Sequence, residues 1–180
     1  MVQKRNNITL EIIQLLLKKE QHIRELARTL NESHSTVLRK LNRLHEENVV
    51  DYQKEGKNKV FFLKENIFSR NYILQAEIYK LNSMLNKYPK LEVILEQVLE
   101  KTGEKLIVVF GSYAKFRAKS NSDIDIYIET ESREVKKKVE NIHSKIKVKA
   151  GPFDKNSNLI KEIIKDHVIV RGFEEFYEKK

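Results

Sequence analysis

Two rhythms of apolar residues run along the chain, one recurring every three or four positions and one alternating or continuous, and together they predict its elements. Over residues 9–19, Ile12, Ile13, Leu16 and Leu17 form the stripe of a first helix. A second, short helix fits residues 22–30, with Ile23, Leu26, Ala27 and Leu30 inward. Asn31-Glu32-Ser33 breaks the pattern, and Ser33 is suited to cap a third helix running to about Glu47. Val37, Leu41 and Leu44 share one face of that helix, which leaves Ser35, Thr36, Arg39, Lys40 and Arg43 largely on the other. Residues 49–53 and 59–63 are strand-like and flank Lys54-Glu55-Gly56-Lys57-Asn58, which predicts a hairpin with a basic tip.

Residues 66–88 contain neither Gly nor Pro and predict one long helix. Its Ile67, Asn71, Leu74, Ile78, Leu81 and Leu85 are spaced 4, 3, 4, 3 and 4, a narrow apolar seam with one polar member. That seam suits either a homodimer contact or packing on the chain itself. Pro89 ends the helix, and another follows from Lys90 to about Lys101, with Gly103 placed where a helix end favours a left-handed residue. The expected divisions are residues 1–64, a linking helix at 65–88, and a second domain at 89–180.

Leu106-Ile107-Val108-Val109-Phe110 is a continuous apolar run, the mark of a strand buried on both faces, and it leads directly into Gly111-Ser112. Ten residues later comes Asp123-Ile124-Asp125-Ile126-Tyr127-Ile128. As a strand it puts Asp123, Asp125 and Tyr127 on one face and the three isoleucines on the other. Two carboxylates side by side repel and raise each other's pKa, and a divalent cation resolves the conflict. A Gly-Ser turn lets backbone approach a phosphate with no Cβ in the way. Together they describe a site for phosphoryl or nucleotidyl transfer.

Composition narrows the choice. There is no Cys among 180 residues, which excludes disulfides, thiolate zinc sites and a thiol nucleophile. The longest apolar runs are only a few residues, so no membrane span is expected, and residues 1–7 lack an apolar signal core, which points to a cytoplasmic protein. The net charge is +9 and unevenly placed. Residues 1–64 hold 13 basic and 8 acidic side chains, residues 65–100 hold 4 and 5, and residues 101–180 hold 18 and 13. Two basic blocks flank a near-neutral middle, as expected for a polyanionic partner. The five histidines show no metal-ligand spacing.

The helix-turn-helix with its basic hairpin resembles the winged helix-turn-helix family of transcription regulators, over about a third of the chain. The resemblance implies binding to duplex DNA through Ser35, Thr36, Arg39, Lys40 and Arg43 on the third helix and Lys54, Lys57 and Lys59 on the wing. The strand, Gly111-Ser112, ten residues and Asp123-X-Asp125, with Ser122 just ahead, resemble the minimal nucleotidyltransferase branch of the DNA polymerase beta superfamily. That implies an α+β chain: a winged helix, a helical linker, and a small α/β nucleotidyltransferase fold with a mixed sheet. It also implies a nucleoside triphosphate held at Gly111 and Ser112, and Mg²⁺ or Mn²⁺ held by the catalytic pair Asp123 and Asp125. The nucleoside monophosphate would pass to an acceptor hydroxyl.

Active members of that superfamily usually bring a third carboxylate on the next strand. Here the expected strand, residues 145–150, carries lysines, and Asp154 lies just beyond it. Four roles follow from the two resemblances: a regulator with an active transferase domain, a nucleotide-sensing regulator that has lost turnover, an RNA-modifying enzyme, or an antitoxin-type transferase acting on a partner toxin.

Overall fold

The computed structural model describes residues 7–56 and 58–180. The chain divides into two compact units, Met1–Tyr79 and Lys80–Lys180.

In the first unit, helix α1 (Ile8–Leu16) precedes the short strand β1 (Gln21–His22), then come α2 (Ile23–Leu30), α3 (His34–Glu46), β2 (Val50–Glu55) and β3 (Asn58–Leu63). Asn31 ends α2 in the left-handed conformation that Asn tolerates, and Ser33 caps α3, its side chain accepting from the Thr36 amide at 3.1 Å. β2 and β3 pair antiparallel from Val50↔Leu63 to Glu55↔Asn58. β1 adds to the other side of β3, an element the hydrophobic pattern does not reveal. Ile12, Ile13, Leu16, Leu26, Val37, Leu41, Leu44, Val49, Val50 and Phe61 close the core.

The long helix α4 (Ile67–Lys87) begins in this unit and ends in the next, and the division between the two compact units falls at 79/80, inside the helix. Asn66 caps its start through the Ser69 amide (2.9 Å), and the Ser69 hydroxyl donates to the Val49 carbonyl at 2.6 Å. Tyr72, Ile73, Ala76 and Tyr79 form its face to the first core. The expected seam splits. Leu81 and Leu85 pack against the second unit's core, while Ile67 and Ile78 stay 60% and 47% exposed and Asn71 is exposed.

The second unit contains α5 (Lys90–Lys101), β4 (Ile107–Phe110), the single turn α6 (Gly111–Ala114), β5 (Ile124–Ile128), α7 (Arg133–Glu140), β6 (Ile146–Ala150), α8 (Asn158–Lys165), β7 (Val168–Arg171) and α9 (Phe173–Lys179). α5 ends on extended Thr102, and Gly103 does not take the expected left-handed conformation. The sheet order is β6-β5-β4-β7. β5 pairs antiparallel with β4 and parallel with β6, so the sheet is mixed. β4 is buried on both faces. Ile107 and Val109 join Ile124, Ile126 and Ile128 in one core, and Val108 and Phe110 join Tyr127, Ile163 and Phe176 in the other.

Candidate functional site

Antiparallel pairing sets Phe110 opposite Asp125, so the turn that ends β4 falls beside the carboxylate of β5. Phe110 is extended, and Gly111 then turns the chain with φ +68°. A Cβ on Gly111 would lie 2.3 Å from Asp125 Oδ2, closer than any packed atoms allow. Glycine is therefore required twice over at this point, for its conformation and for the approach of the carboxylate. Ser112 follows, partly buried, and Asp123, one residue before β5, is exposed on the same strand face as half-buried Asp125.

Burial, then the charge of Asp123, then that of Glu162 hold the Asp125 carboxyl above its usual range, against the opposing pull of Lys149 and Lys115. Glu162, on α8, is a third carboxylate that sequence reasoning missed. Its charge acts on Asp125 from a helix, not from the next strand, and it carries no local signal. It forms an ion pair with Lys115 at 3.3 Å. The loop between the two motifs is fastened from the end of α4. Lys87 Nζ donates to the Phe116 carbonyl at 2.6 Å, and the Ala118 amide donates to the Tyr88 hydroxyl at 3.1 Å. Ser122 closes the turn before Asp123, its hydroxyl accepting from the Lys119 amide at 2.9 Å.

The strand beyond β5 carries Lys147 level with Asp125 and Lys149 level with Tyr127. Asp154 sits exposed in a turn, its carboxylate accepting from the Asn156 amide. Among the described residues, no group of three or more His, Cys, Asp or Glu side chains is gathered to hold a metal. Asp123 and Asp125 are the two carboxylates that the sequence offers to a cation. A half-buried carboxylate repelled by its neighbour suits a hard divalent cation that takes one or two carboxylates and completes its shell with substrate phosphates.

In the first unit, Ser35, Arg39 and Arg43 are exposed on α3, and Thr36 and Lys40 are half-buried. Thr36 Oγ1 and Ser35 Oγ both lie within hydrogen-bond distance of Ser33 Oγ, at 2.8 and 3.0 Å. Arg43 is turned to the C-terminal end of α3, where it pairs with Glu47 at 2.7 Å, and Tyr72 donates to the same carboxylate. On the wing, Lys54 is exposed and Lys59 lies over the Tyr52 ring at 3.7 Å, while Lys57 is outside the described residues. A groove of about 740 Å³ opens between α2, the start of α3 and the wing. Arg24, Arg28, His34 and Lys59 line it, and of these only Lys59 was singled out by the sequence. Arg24 and Arg28 lie on the outer face of α2, where helical periodicity gives no reason to prefer them over any solvated arginine.

Comparison with known proteins agrees with both readings of the chain. The family model described as "Nucleotidyltransferase domain" matches residues 91–179, and the model "Bacterial regulatory protein, arsR family" matches residues 8–52. The chain therefore joins a winged helix-turn-helix DNA-binding domain of the arsR type to a nucleotidyltransferase domain. Among solved structures it is similar to the Adhesin competence repressor (AdcR) from Streptococcus pyogenes, with 22% identity over 50% of this chain and 67% of that one, and a TM-score of 0.41. It is also similar to the homodimeric winged helix-turn-helix domain Mb0332 from Mycobacterium bovis, with 20% identity over 42% and 69% and a TM-score of 0.37. A third is the transcriptional repressor BigR from Xylella fastidiosa, with 17% identity over 49% and 78% and a TM-score of 0.35. No curated protein matches the chain. Among the described residues, no helix is long and apolar enough to cross a membrane.

Proposed function

We propose that the chain is a DNA-binding regulator whose second unit binds a nucleoside triphosphate and transfers its nucleoside monophosphate to an acceptor hydroxyl. One observation carries the second half of this reading. The Asp125 carboxylate lies against the α-carbon of Gly111, which supports reading the Gly-Ser turn and the Asp pair as parts of one site. Gly111 and Ser112 receive the phosphates, because no side chain blocks the backbone there and the Ser112 hydroxyl can donate. Mg²⁺ or Mn²⁺, held by Asp123 and Asp125, would neutralise the phosphate charge and polarise the phosphorus under attack. Lys115, at the end of the turn, supplies a further cation beside the carboxylates.

The first unit meets duplex DNA through α3, with Ser35, Thr36, Arg39 and Lys40 toward the bases and Lys54, Lys57 and Lys59 on phosphates. Arg24 and Arg28 in the groove add to the phosphate contacts. Arg43, already paired with Glu47, contributes least. The exposed half of the α4 seam, around Ile67 and Ile78, serves a homodimer.

A second reading is favoured by the lysines level with Asp125 and Tyr127. Without a third carboxylate on β6 the site binds nucleotide but does not turn over, and the chain is a nucleotide-sensing regulator. One experiment separates the two. Wild type and the Asp123→Asn/Asp125→Asn variant are titrated with each NTP and Mg²⁺ by calorimetry, then incubated with α-labelled NTP and cell extract. Binding lost in the variant, with label transferred by wild type, supports the enzyme, and the labelled species, RNA or a protein such as a toxin, identifies the acceptor. Binding without transfer supports the sensor. Equal binding by both proteins refutes the site.

A further inference from the structure

β5 is flanked by β4 on one side and β6 on the other, and β6 is the outer strand of the sheet. The Gly111-Ser112 turn lies on the β4 side of the Asp pair. On the β6 side, parallel register pairs Ile124 with Ile146 and Ile126 with Val148, all buried in one core. The intervening residues therefore share the opposite face, which sets Lys147 and Lys149 on the same face as Asp123 and Asp125. Both lysines are exposed, and among the described residues neither has an ion-pair partner. Nearby lysines are engaged: Lys115 with Glu162, Lys136 with Glu140, Lys179 with Glu129, and Lys145 with the Ser120 carbonyl. Alternate positions on a strand are about 6.6 Å apart, so the two lysines stand one after the other along the strand edge, level with Asp125 and Tyr127.

We infer that Lys147 and Lys149 bind the phosphodiester backbone of the acceptor, which is a single-stranded nucleic acid. This rests on the nucleotidyltransferase reading of the same site. The argument is one of sidedness. If the triphosphate occupies the Gly111-Ser112 side, the attacking hydroxyl comes from the other side of the transferred phosphorus, where these lysines stand. A neutral hydroxyl compound or an uncharged protein side chain would gain nothing from two exposed cations, whereas a strand with a phosphate at each nucleotide meets both. In the step itself the acceptor hydroxyl oxygen bonds to the α-phosphorus. The bond from that phosphorus to the α–β bridging oxygen breaks, pyrophosphate leaves, and the hydroxyl proton passes to water. No oxidant or reductant is needed.

The test uses the full chain carrying Arg39→Glu and Lys54→Glu, so that the first unit's DNA-binding face is weakened equally in every arm. Binding of a fluorescein-labelled 20-nucleotide single-stranded RNA is followed by anisotropy at several salt concentrations, with and without Lys147→Glu/Lys149→Glu. The lysine variant is expected to bind at least tenfold more weakly and to flatten the salt slope by about 1.4 units, from two lost phosphate contacts at about 0.7 each. Its melting temperature stays as it was. Lys147→Gln/Lys149→Gln provides the same comparison should the charge reversal disturb the sheet. Unchanged RNA affinity and salt slope overturn the inference. So does a loss of NTP binding with RNA binding intact, which would assign the lysines to the triphosphate. A failure of the underlying reading shows separately, as NTP binding that survives Asp123→Asn/Asp125→Asn.

Discussion

Replacing Gly111 by Ala probes the contact on which the candidate site stands. The perturbation has two parts. Alanine at φ +68° costs about 1–2 kcal/mol because its Cβ crowds the backbone in the left-handed region. In addition, the Cβ would sit 2.3 Å from Asp125 Oδ2 and 3.1 Å from its Cγ, so the carboxylate must move, an overpacking cost of about 1–3 kcal/mol. The sum is about 2–5 kcal/mol in a unit of about a hundred residues, where each kcal/mol lowers Tm by about 4–8 °C. A calorimetric melt should therefore show the second unit's transition falling by at least about 8 °C, together with loss of metal-dependent nucleotide binding. The two parts separate in a cycle. With Asp125→Ala as background the clash is gone, and Gly111→Ala should cost only the conformational part, leaving a coupling of about 1–3 kcal/mol. Gly103→Ala is the control, since nothing lies within 4 Å of its Cβ position and its φ is ordinary. A Tm change under about 2 °C for Gly111→Ala, or the same cost in both backgrounds, would mean that the carboxylate does not lie on this glycine.

Three further outcomes are expected. The Glu47 carboxyl is held below its usual range, first by the Tyr72 hydroxyl and then by Arg43, so its contribution is complete above the unfolded pKa of about 4.3 and disappears as pH falls through the folded value. Tyr72→Phe should therefore destabilise the protein by about 1 kcal/mol at pH 7 and by less at pH 3, and urea melts giving equal losses at both would sink that linkage. Ile78→Glu should convert a dimer to a monomer in sedimentation without lowering Tm, because the side chain is 47% exposed, and a wild type already monomeric at micromolar concentration would end the dimer proposal. Arg39→Ala should cost about 1–3 kcal/mol on the preferred DNA sequence and relax selectivity. Lys54→Ala should weaken all sequences alike and flatten the salt slope by about one unit, so identical behaviour of the two variants would contradict the assigned division of labour.

What could be read from the sequence was local. Ser33 as a cap, the Val37, Leu41 and Leu44 face, the hairpin, and Gly111-Ser112 with Asp123-X-Asp125 depend on neighbours within a few residues, and the structure contains each of these elements. What was hidden depended on pairing across long stretches. β1 is two residues long and exists because Gln21 and His22 meet Phe61 and Val60. β7 lines up against β4 from some sixty residues away, and the charge of Glu162 on α8 acts on Asp125. The α4 spacing suggested one continuous seam, but the helix serves two cores in turn. Its apolar stripe therefore changes partners halfway along, and Ile67, Leu74 and Ile78 of that stripe belong to neither core. Periodicity reports which positions are apolar and is silent on what covers them.

The outer position of β6 has a consequence for the protein's behaviour in concentrated solution. An exposed strand edge is a template for another chain, and this one would read Ile-Val-Val-Val-Ala if Lys147 and Lys149 were both valine. Two features oppose that outcome: the lysines, and Glu140, whose carboxylate occupies the Val148 amide at 3.2 Å. Charge at positions 147 and 149 is thus tied to colloidal stability whatever it binds. Reversing its sign keeps the edge repulsive between like copies, whereas replacing it with β-branched apolar residues would turn the same strand into a site of sheet-to-sheet association. Natural variation at these two positions should therefore be restricted to charged or strongly polar residues even in relatives that have lost the activity.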